Sequence, residues 1–159
     1  MTTSDAPPTD DRSGSEAAFT PDPRVRRARP EEAEVLARIQ QHLREPSPDL
    51  LEYGLAVDAL RVSVDTAGTP VGYLLPVDGE VAIHLAEMVV LPEARREGRA
   101  RGLLETVLAE TTGPVTLLVA PENDAARSLY DDLGFEVVDR RPDAYAEGDG
   151  DALCYRFDR

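Results

Sequence analysis

Apolar and polar residues change their period along this 159-residue chain, and each change marks a different element. Residues 1–23 hold four prolines among Ser, Thr and Asp and almost no large apolar side chain. Such a segment cannot bury enough surface to offset the entropy of ordering, so a disordered acidic arm is expected there. From Val25 to Ala28 the chain reads as a short strand, and Pro30 opens a helix with Val35, Leu36, Ile39 and Leu43 on one face. Pro46 and Pro48 end that helix, and residues 49–55 make a second short one. Strands over residues 59–65 and 71–77 flank the turn Thr66-Ala-Gly-Thr-Pro70 and form a hairpin. A second turn, Asp78-Gly-Glu80, leads into an apolar strand ending at Leu91. Ala100, Leu103, Leu104, Val107 and Leu108 then recur at helical spacing up to Gly113. The continuous apolar run Val115–Ala120 has the character of a buried central strand. Asn123 caps another helix, with Ala126, Leu129, Tyr130 and Leu133 on one stripe and Gly134 at its end. Residues 135–140 and 152–157 close the chain as strands around an acidic loop. Strands paired early and crossed over by helices later predict an α/β (α+β) domain with a mixed sheet.

Composition narrows the field. The length fits one domain, expected over residues 24–159. Asp and Glu number 31 against 17 Lys plus Arg, for a net charge of −14. A chain so acidic repels polyanions, which argues against a nucleic-acid partner. Lys is absent, and the acid surplus is spread over the whole length. That fits a halophilic protein hydrated in a salt-rich cytoplasm; the plainer alternative is an acidic chain from a GC-rich genome. Cys154 is the single cysteine, so there is neither a disulfide framework nor a CxxC zinc pair, and no metal is expected. Its strand-like setting suggests a buried, inert thiol. No apolar stretch approaches membrane-spanning length, and the first residues lack the apolar core of a secretion signal. A cytoplasmic protein with no membrane contact is expected.

Candidate chemistry begins where the apolar run Leu85–Leu91 gives way to Pro92-Glu-Ala-Arg-Arg-Glu-Gly-Arg-Ala-Arg-Gly-Leu-Leu104. The first turn of a helix leaves backbone N–H groups unpaired, and its dipole favours an anion there. Small residues at positions 98 and 100 let a phosphate approach the backbone closely. A glycine before a helix also serves plain turn chemistry, so the second segment, Asn123-Asp-Ala-Ala-Arg-Ser-Leu-Tyr-Asp-Asp-Leu-Gly-Phe135, carries the rest of the weight. Together, Arg95-Arg-Glu-Gly98-Arg-Ala100 and that segment resemble the two signatures of the GNAT superfamily of acyl-CoA-dependent N-acetyltransferases. The resemblance covers about residues 24–159 in element order. It implies a mixed sheet splayed between its fourth and fifth strands, with the pantetheine arm of the cofactor in the wedge. It further implies acetyl-CoA as cosubstrate and a primary amine, on a small molecule or a protein, as acceptor, in a monomer or a homodimer.

On this resemblance Arg95, Arg96, Gly98, Arg99, Ala100 and Arg101 form a pyrophosphate site, with amides doing most of the binding. Arg99 stands where the family usually carries an aliphatic residue, so its side chain is expected to point out of the core. Met88, Val89 and Val90 would pair their backbone with pantetheine as an added strand, one N–H polarising the thioester carbonyl. Asn123 is either a helix cap alone or a cap that also binds the coenzyme, and the resemblance supports both. Core packing alone explains Tyr130, but the resemblance places its phenol near the coenzyme sulfur, able to protonate the departing thiolate. For the base, Glu87 interrupts an apolar strand, where a charge needs a reason. Solvent exposure or an Arg partner would also explain it, and His84 is the other candidate. Leu118 stands where ribosomal-protein alanine acetyltransferases carry a glutamate, so their base is missing. Asp143, Glu147, Asp149 and Asp151 either attract a cationic amine or form a solvated acidic loop. A non-catalytic acyl-CoA sensor or interaction module would share the coenzyme site; Glu87 and Tyr130 discriminate the two. A nucleotide-binding protein is disfavoured, because no Lys-Ser/Thr pair follows the glycine loop.

Overall fold

A computed structural model describes residues 19–142, 144 and 150–159. The chain runs β1 (Val25–Arg27), α1 (Ala33–Gln40), α2 (Pro48–Ala56), β2 (Arg61–Val64), β3 (Pro70–Asp78) and β4 (Ile83–Val90). It continues through α3 (Arg99–Glu110), β5 (Val115–Val119), α4 (Asp124–Leu133), β6 (Glu136–Arg141) and β7 (Ala152–Phe157). The elements expected from periodicity all form, with most ends shifted by a residue or two. The first helix departs most: α1 stops at Gln40, and Leu43 lies in turns beyond it, where its N–H donates to the Gln40 carbonyl.

The strands make one seven-stranded sheet in the order β1-β2-β3-β4-β5-β7-β6. All neighbours are antiparallel except β4 and β5, which the α3 crossover makes parallel. Pairing between β4 and β5 lasts only from Ile83–Val115 to Leu85–Leu117, after which the strands diverge. The sheet is therefore split between its fourth and fifth strands, as the resemblance implied.

Two cores lie on opposite faces. Leu36 and Ile39 of α1 and Leu51 of α2 pack on Val62, Tyr73, Leu75 and Val89. On the other face Leu103, Leu104, Val107 and Leu108 of α3 and Tyr130 and Leu133 of α4 meet Leu74, Leu85, Val90, Leu117 and Tyr155. β4 changes phase between them. Leu75 pairs with Glu87 and Pro76 with Leu85, so Ala86 is an extra, bulged residue. Strict alternation would put Glu87 on the same side as Leu85; the bulge turns it to the α1 face.

Part of the segment expected to be a free arm lies on the domain. Phe19 meets Phe157 edge-on with ring centroids 5.6 Å apart, and the Asp22 N–H donates to the Thr106 hydroxyl at 2.8 Å. Residues 1–18 of that arm lie outside the described residues.

Candidate active site

The split in the sheet opens a cleft of about 520 Å³. Its walls are residues 85–90 of β4 and 117–120 of β5, with Tyr130 and Asn123 from the α4 side and His42, Leu43 and Ser47 from the turns after α1. The Leu91 N–H donates to the Val71 carbonyl, and Val89 pairs with Tyr73. Main-chain groups alternate along a strand, so Met88 and Val90 turn theirs away from β3 and into the wedge. Of the three residues expected to present main chain to an added strand, Val89 is corrected: its backbone faces β3 and its side chain joins the α1 core. The Val90 carbonyl already accepts from Arg95 Nε at 2.9 Å. Met88 is left with its N–H and C=O on the open edge, with no β5 partner.

A second cavity of about 360 Å³ continues from the first, sharing Val90 and Arg95, and ends on Arg96, Gly98, Ala100 and Arg101, with Ala125 and Leu129 of α4 opposite. Gly98, the N-cap of α3, is left-handed at φ 73°. No side chain caps this helix and its first turn contains no acid, so its leading N–H groups have no internal side-chain acceptor. Arg96 is also left-handed, at φ 65°. Successive turns of this kind line up amides into an anion-binding concavity.

The four arginines do not share one role. Arg99 stays out of both apolar clusters, but it lies along β2 rather than in solvent, its side chain only 11% exposed. It donates to the buried Ser63 hydroxyl at 3.0 Å and to the Val64 carbonyl at 2.9 Å, while Nε pairs with Glu97. The cause is local. The Val64 N–H donates to the Arg24 carbonyl, so the Val64 carbonyl turns to the same side, where the Arg24 N–H is taken by Asp22 and leaves it without a main-chain donor. Arg99 thus offers its backbone to the loop, not its charge. Arg95 is tied to Val90, and Arg101 bridges to Asp132 of α4 at 3.2 Å and to Glu105. Among the described residues Arg96 pairs with no carboxylate.

Asn123 caps α4, accepting from the Ala126 N–H at 3.2 Å, and also lines the cleft. Tyr130 lies on the cleft wall with its ring against Tyr155 and Phe135, at centroid distances of 5.6 and 5.8 Å. Arg127 steadies this cluster from outside by donating to the Tyr155 hydroxyl at 2.8 Å.

Glu87 lines the same cleft but is only 8% exposed. Neither solvent nor an arginine explains it. Its Oε1 accepts from the Tyr73 hydroxyl at 2.8 Å and from Gln40 Nε2 at 3.1 Å, and Gln40 donates in turn to the Ser47 carbonyl at 2.8 Å. Burial first, and the Glu87 carboxylate second, push the Tyr73 phenol above its ordinary range, so it stays a donor. His84 is set apart from this group. It sits in the closed half of the β4–β5 pair with Nδ1 3.0 Å from the Thr116 hydroxyl and does not line the cleft, so it does not share the site. Of the acidic residues near the last turn, Asp151 pairs with Arg140 at 2.9 Å, and Asp143, Glu147 and Asp149 lie outside the described residues.

The acetyltransferase (GNAT) domain family matches residues 56–137, more than half of the chain. The chain belongs to the GNAT acetyltransferase family. Mycothiol acetyltransferase of Clavibacter sepedonicus is 40% identical over 72 residues, 45% of this chain and 23% of that protein. The enzyme of the same name from Clavibacter michiganensis subsp. michiganensis is 39% identical over 79 residues, 49% of this chain and 26% of that protein. The chain thus spans 23% to 26% of the length of these curated relatives. Among solved structures, the ribosomal-protein-S18-alanine N-acetyltransferase from Escherichia coli superposes with a TM-score of 0.74 at 22% identity, over 84% of this chain and 92% of that one. Arabidopsis thaliana NAA60 in complex with acetyl-CoA gives 0.72 at 17% identity, over 85% and 98%. Likenesses at such identity establish the fold.

Within this GNAT domain, three contributors were not singled out from sequence. Gln40 had a visible signal: it stands four residues after Leu36 and three before Leu43, so a polar residue occupies the buried stripe. Tyr73 alternates with Leu75 and reads as ordinary strand packing until its hydroxyl is seen to meet Glu87. Arg24 is one of a run of arginines with nothing in the sequence to distinguish it.

Proposed function

We propose that this domain transfers the acetyl group of acetyl-CoA to a primary amine. The observation that carries the reading is the continuity of the two cavities through Val90 and Arg95. It joins an anion-ready helix start to an open strand edge with Tyr130 beside it. The amides of Gly98 to Arg101 and the unpaired Arg96 suit a pyrophosphate, and the Met88 main chain suits an extended amide-bearing arm. The amine nitrogen attacks the thioester carbonyl carbon directly, and the C–S bond breaks. Glu87, or a water it orders, takes the proton from nitrogen, and Tyr130 protonates the departing thiolate sulfur. The acetyl-CoA held by NAA60 and the activity named for the Clavibacter relatives support this choice over a non-catalytic sensor. The acid surplus supports the finer reading of a protein adapted to concentrated salt.

Acetyl-CoA at one hundred times its dissociation constant should stabilise the domain by about 2.7 kcal/mol, read as a thermal shift. Gly98→Val places a β-branched residue in a left-handed conformation and should abolish that shift. An amine panel followed by free-thiol release then separates enzyme from sensor. Absence of any thermal or calorimetric signal with acetyl-CoA in the unmodified protein would overturn the reading.

A further inference from the structure

We infer that Arg24 is a positioning residue for the pyrophosphate loop, holding it from behind so that the Gly98 amide faces the coenzyme. The inference rests on the coenzyme reading above. Arg24 lies just before β1, far from the loop in sequence, yet its guanidinium reaches under it. Nη1 donates to the Glu97 carbonyl at 2.9 Å and Nη2 to the Gly98 carbonyl at 3.4 Å. In a trans peptide the C=O of one residue points opposite to the N–H of the next. The Gly98 carbonyl is also held by the Gly102 N–H at 2.9 Å, so the peptide that depends on Arg24 is Glu97–Gly98: fixing the Glu97 carbonyl aims the Gly98 N–H the other way, toward the cavity. A glycine at φ 73° has a wide range of alternatives, so without a tie this turn would spend part of its time with that amide misdirected.

Arg24 is itself held. Asp22 takes Nε at 3.1 Å and Nη2 at 2.8 Å, and also accepts from the Arg24 N–H at 2.8 Å. The Asp22 main chain is fastened to α3 through Thr106. Gly102 makes this possible: a β-carbon there would run into the Asp22 carboxylate. Asp22 thus neutralises much of the Arg24 charge, so the arginine serves by shape and direction rather than as a phosphate ligand. The arrangement also accounts for the order of residues 19–23, which periodicity alone does not foresee.

The test measures coenzyme affinity and the kcat-against-KM split. Arg24 is partly exposed, its side chain 36% accessible, so losing both bonds should weaken acetyl-CoA binding by about tenfold in Arg24→Leu. KM for acetyl-CoA should rise by the same factor, with kcat at saturation within about twofold. Arg24→Lys keeps the charge and the fold, but a single ammonium cannot span both carbonyls, so it should recover only part of the loss. Dephospho-coenzyme A, which keeps the pyrophosphate and lacks the 3′-phosphate, should show the same penalty. Arg24→Leu binding acetyl-CoA as the unmodified protein does would overturn the inference. Full recovery in Arg24→Lys, or a penalty that disappears with dephospho-coenzyme A, would do the same by assigning the effect to charge or to another phosphate. If the unmodified protein itself fails to bind acetyl-CoA, the coenzyme reading falls instead.

Discussion

Replacing Glu87 by Gln keeps the side chain's length and volume and changes only what its two terminal atoms can do. In the native protein Oε1 takes both shorter bonds, from Tyr73 at 2.8 Å and Gln40 at 3.1 Å, and Oε2 lies 3.3 Å from the same Gln40 nitrogen. A Gln at this position can present its carbonyl oxygen where Oε1 stands and keep those two bonds. Its amide nitrogen then faces Gln40 Nε2, donor against donor. The cost is one long hydrogen bond and some repulsion, about 1 kcal/mol. For a domain of this size that lowers the melting temperature by roughly 2–4 °C. Loss of a general base is larger, about a hundredfold or more in turnover, close to 2.7 kcal/mol of transition-state stabilisation. The two effects are therefore separable. Thermal melts report the first, and free-thiol release at saturating acetyl-CoA across a pH series reports the second. The Tyr73 phenol stays protonated well beyond its usual range, so an alkaline limb of the pH–rate profile cannot come from it. Turnover within about threefold of the unmodified enzyme, with an unshifted profile, would assign proton removal to solvent and leave Glu87 as a packed carboxylate.

Tyr130→Phe keeps the ring against Tyr155 and Phe135 and removes the phenolic proton, so turnover should fall about a hundredfold while coenzyme affinity stays within a few-fold; a loss under about fivefold would mean the thiolate leaves without this acid. Burial, aided by Arg141, holds His84 below its ordinary value of 6.5, so as pH falls the unfolded chain binds a proton before the folded one. Stability should be full above that value and decline below it, and His84→Gln should flatten the decline in melting temperature down to roughly pH 5; an identical slope in the variant would remove His84 as its source. With a net charge of −14, the melting temperature should climb between low and molar KCl as self-repulsion is screened; an unchanged value would remove the salt adaptation and leave the transferase reading intact.

How far the sequence carries depends on which interactions are local. Helix stripes, the hairpin around Gly68 and the continuous apolar β5 follow from side-chain period and turn chemistry, and they appear nearly where periodicity puts them. The two motifs place the helix start at Gly98 and the α4 cap at Asn123 because those are backbone requirements written in one or two residues. What eluded sequence reasoning is what depends on a distant partner. Arg99 reads as a free cation until Asp22, by taking the Arg24 N–H, leaves the Val64 carbonyl without a main-chain donor. His84 reads as a plausible base until the parallel pairing closes over Thr116. Gln40 and Tyr73 acquire meaning only together, through the carboxylate they both reach.

The bulge at Ala86 shows why these distant terms decide the chemistry. One extra residue reverses the phase of β4, so Glu87 joins the α1 side while Leu85 and Val90 stay with α3 and α4. Tyr130 belongs to that second face. Glu87 and Tyr130 therefore reach the cleft from opposite faces of the sheet, with the open main chain of Met88 on the edge between them. Such a division suits a reaction in which one proton leaves the attacking nitrogen and another arrives at the departing sulfur. Approaching one cleft from two sides, neither group competes for the other's proton. On the proposed reading the amine enters past the α1–α2 turns and the coenzyme occupies the α3–α4 side. A strand without the bulge would crowd Glu87 and Tyr130 onto one face and give the amine no basic partner on its own.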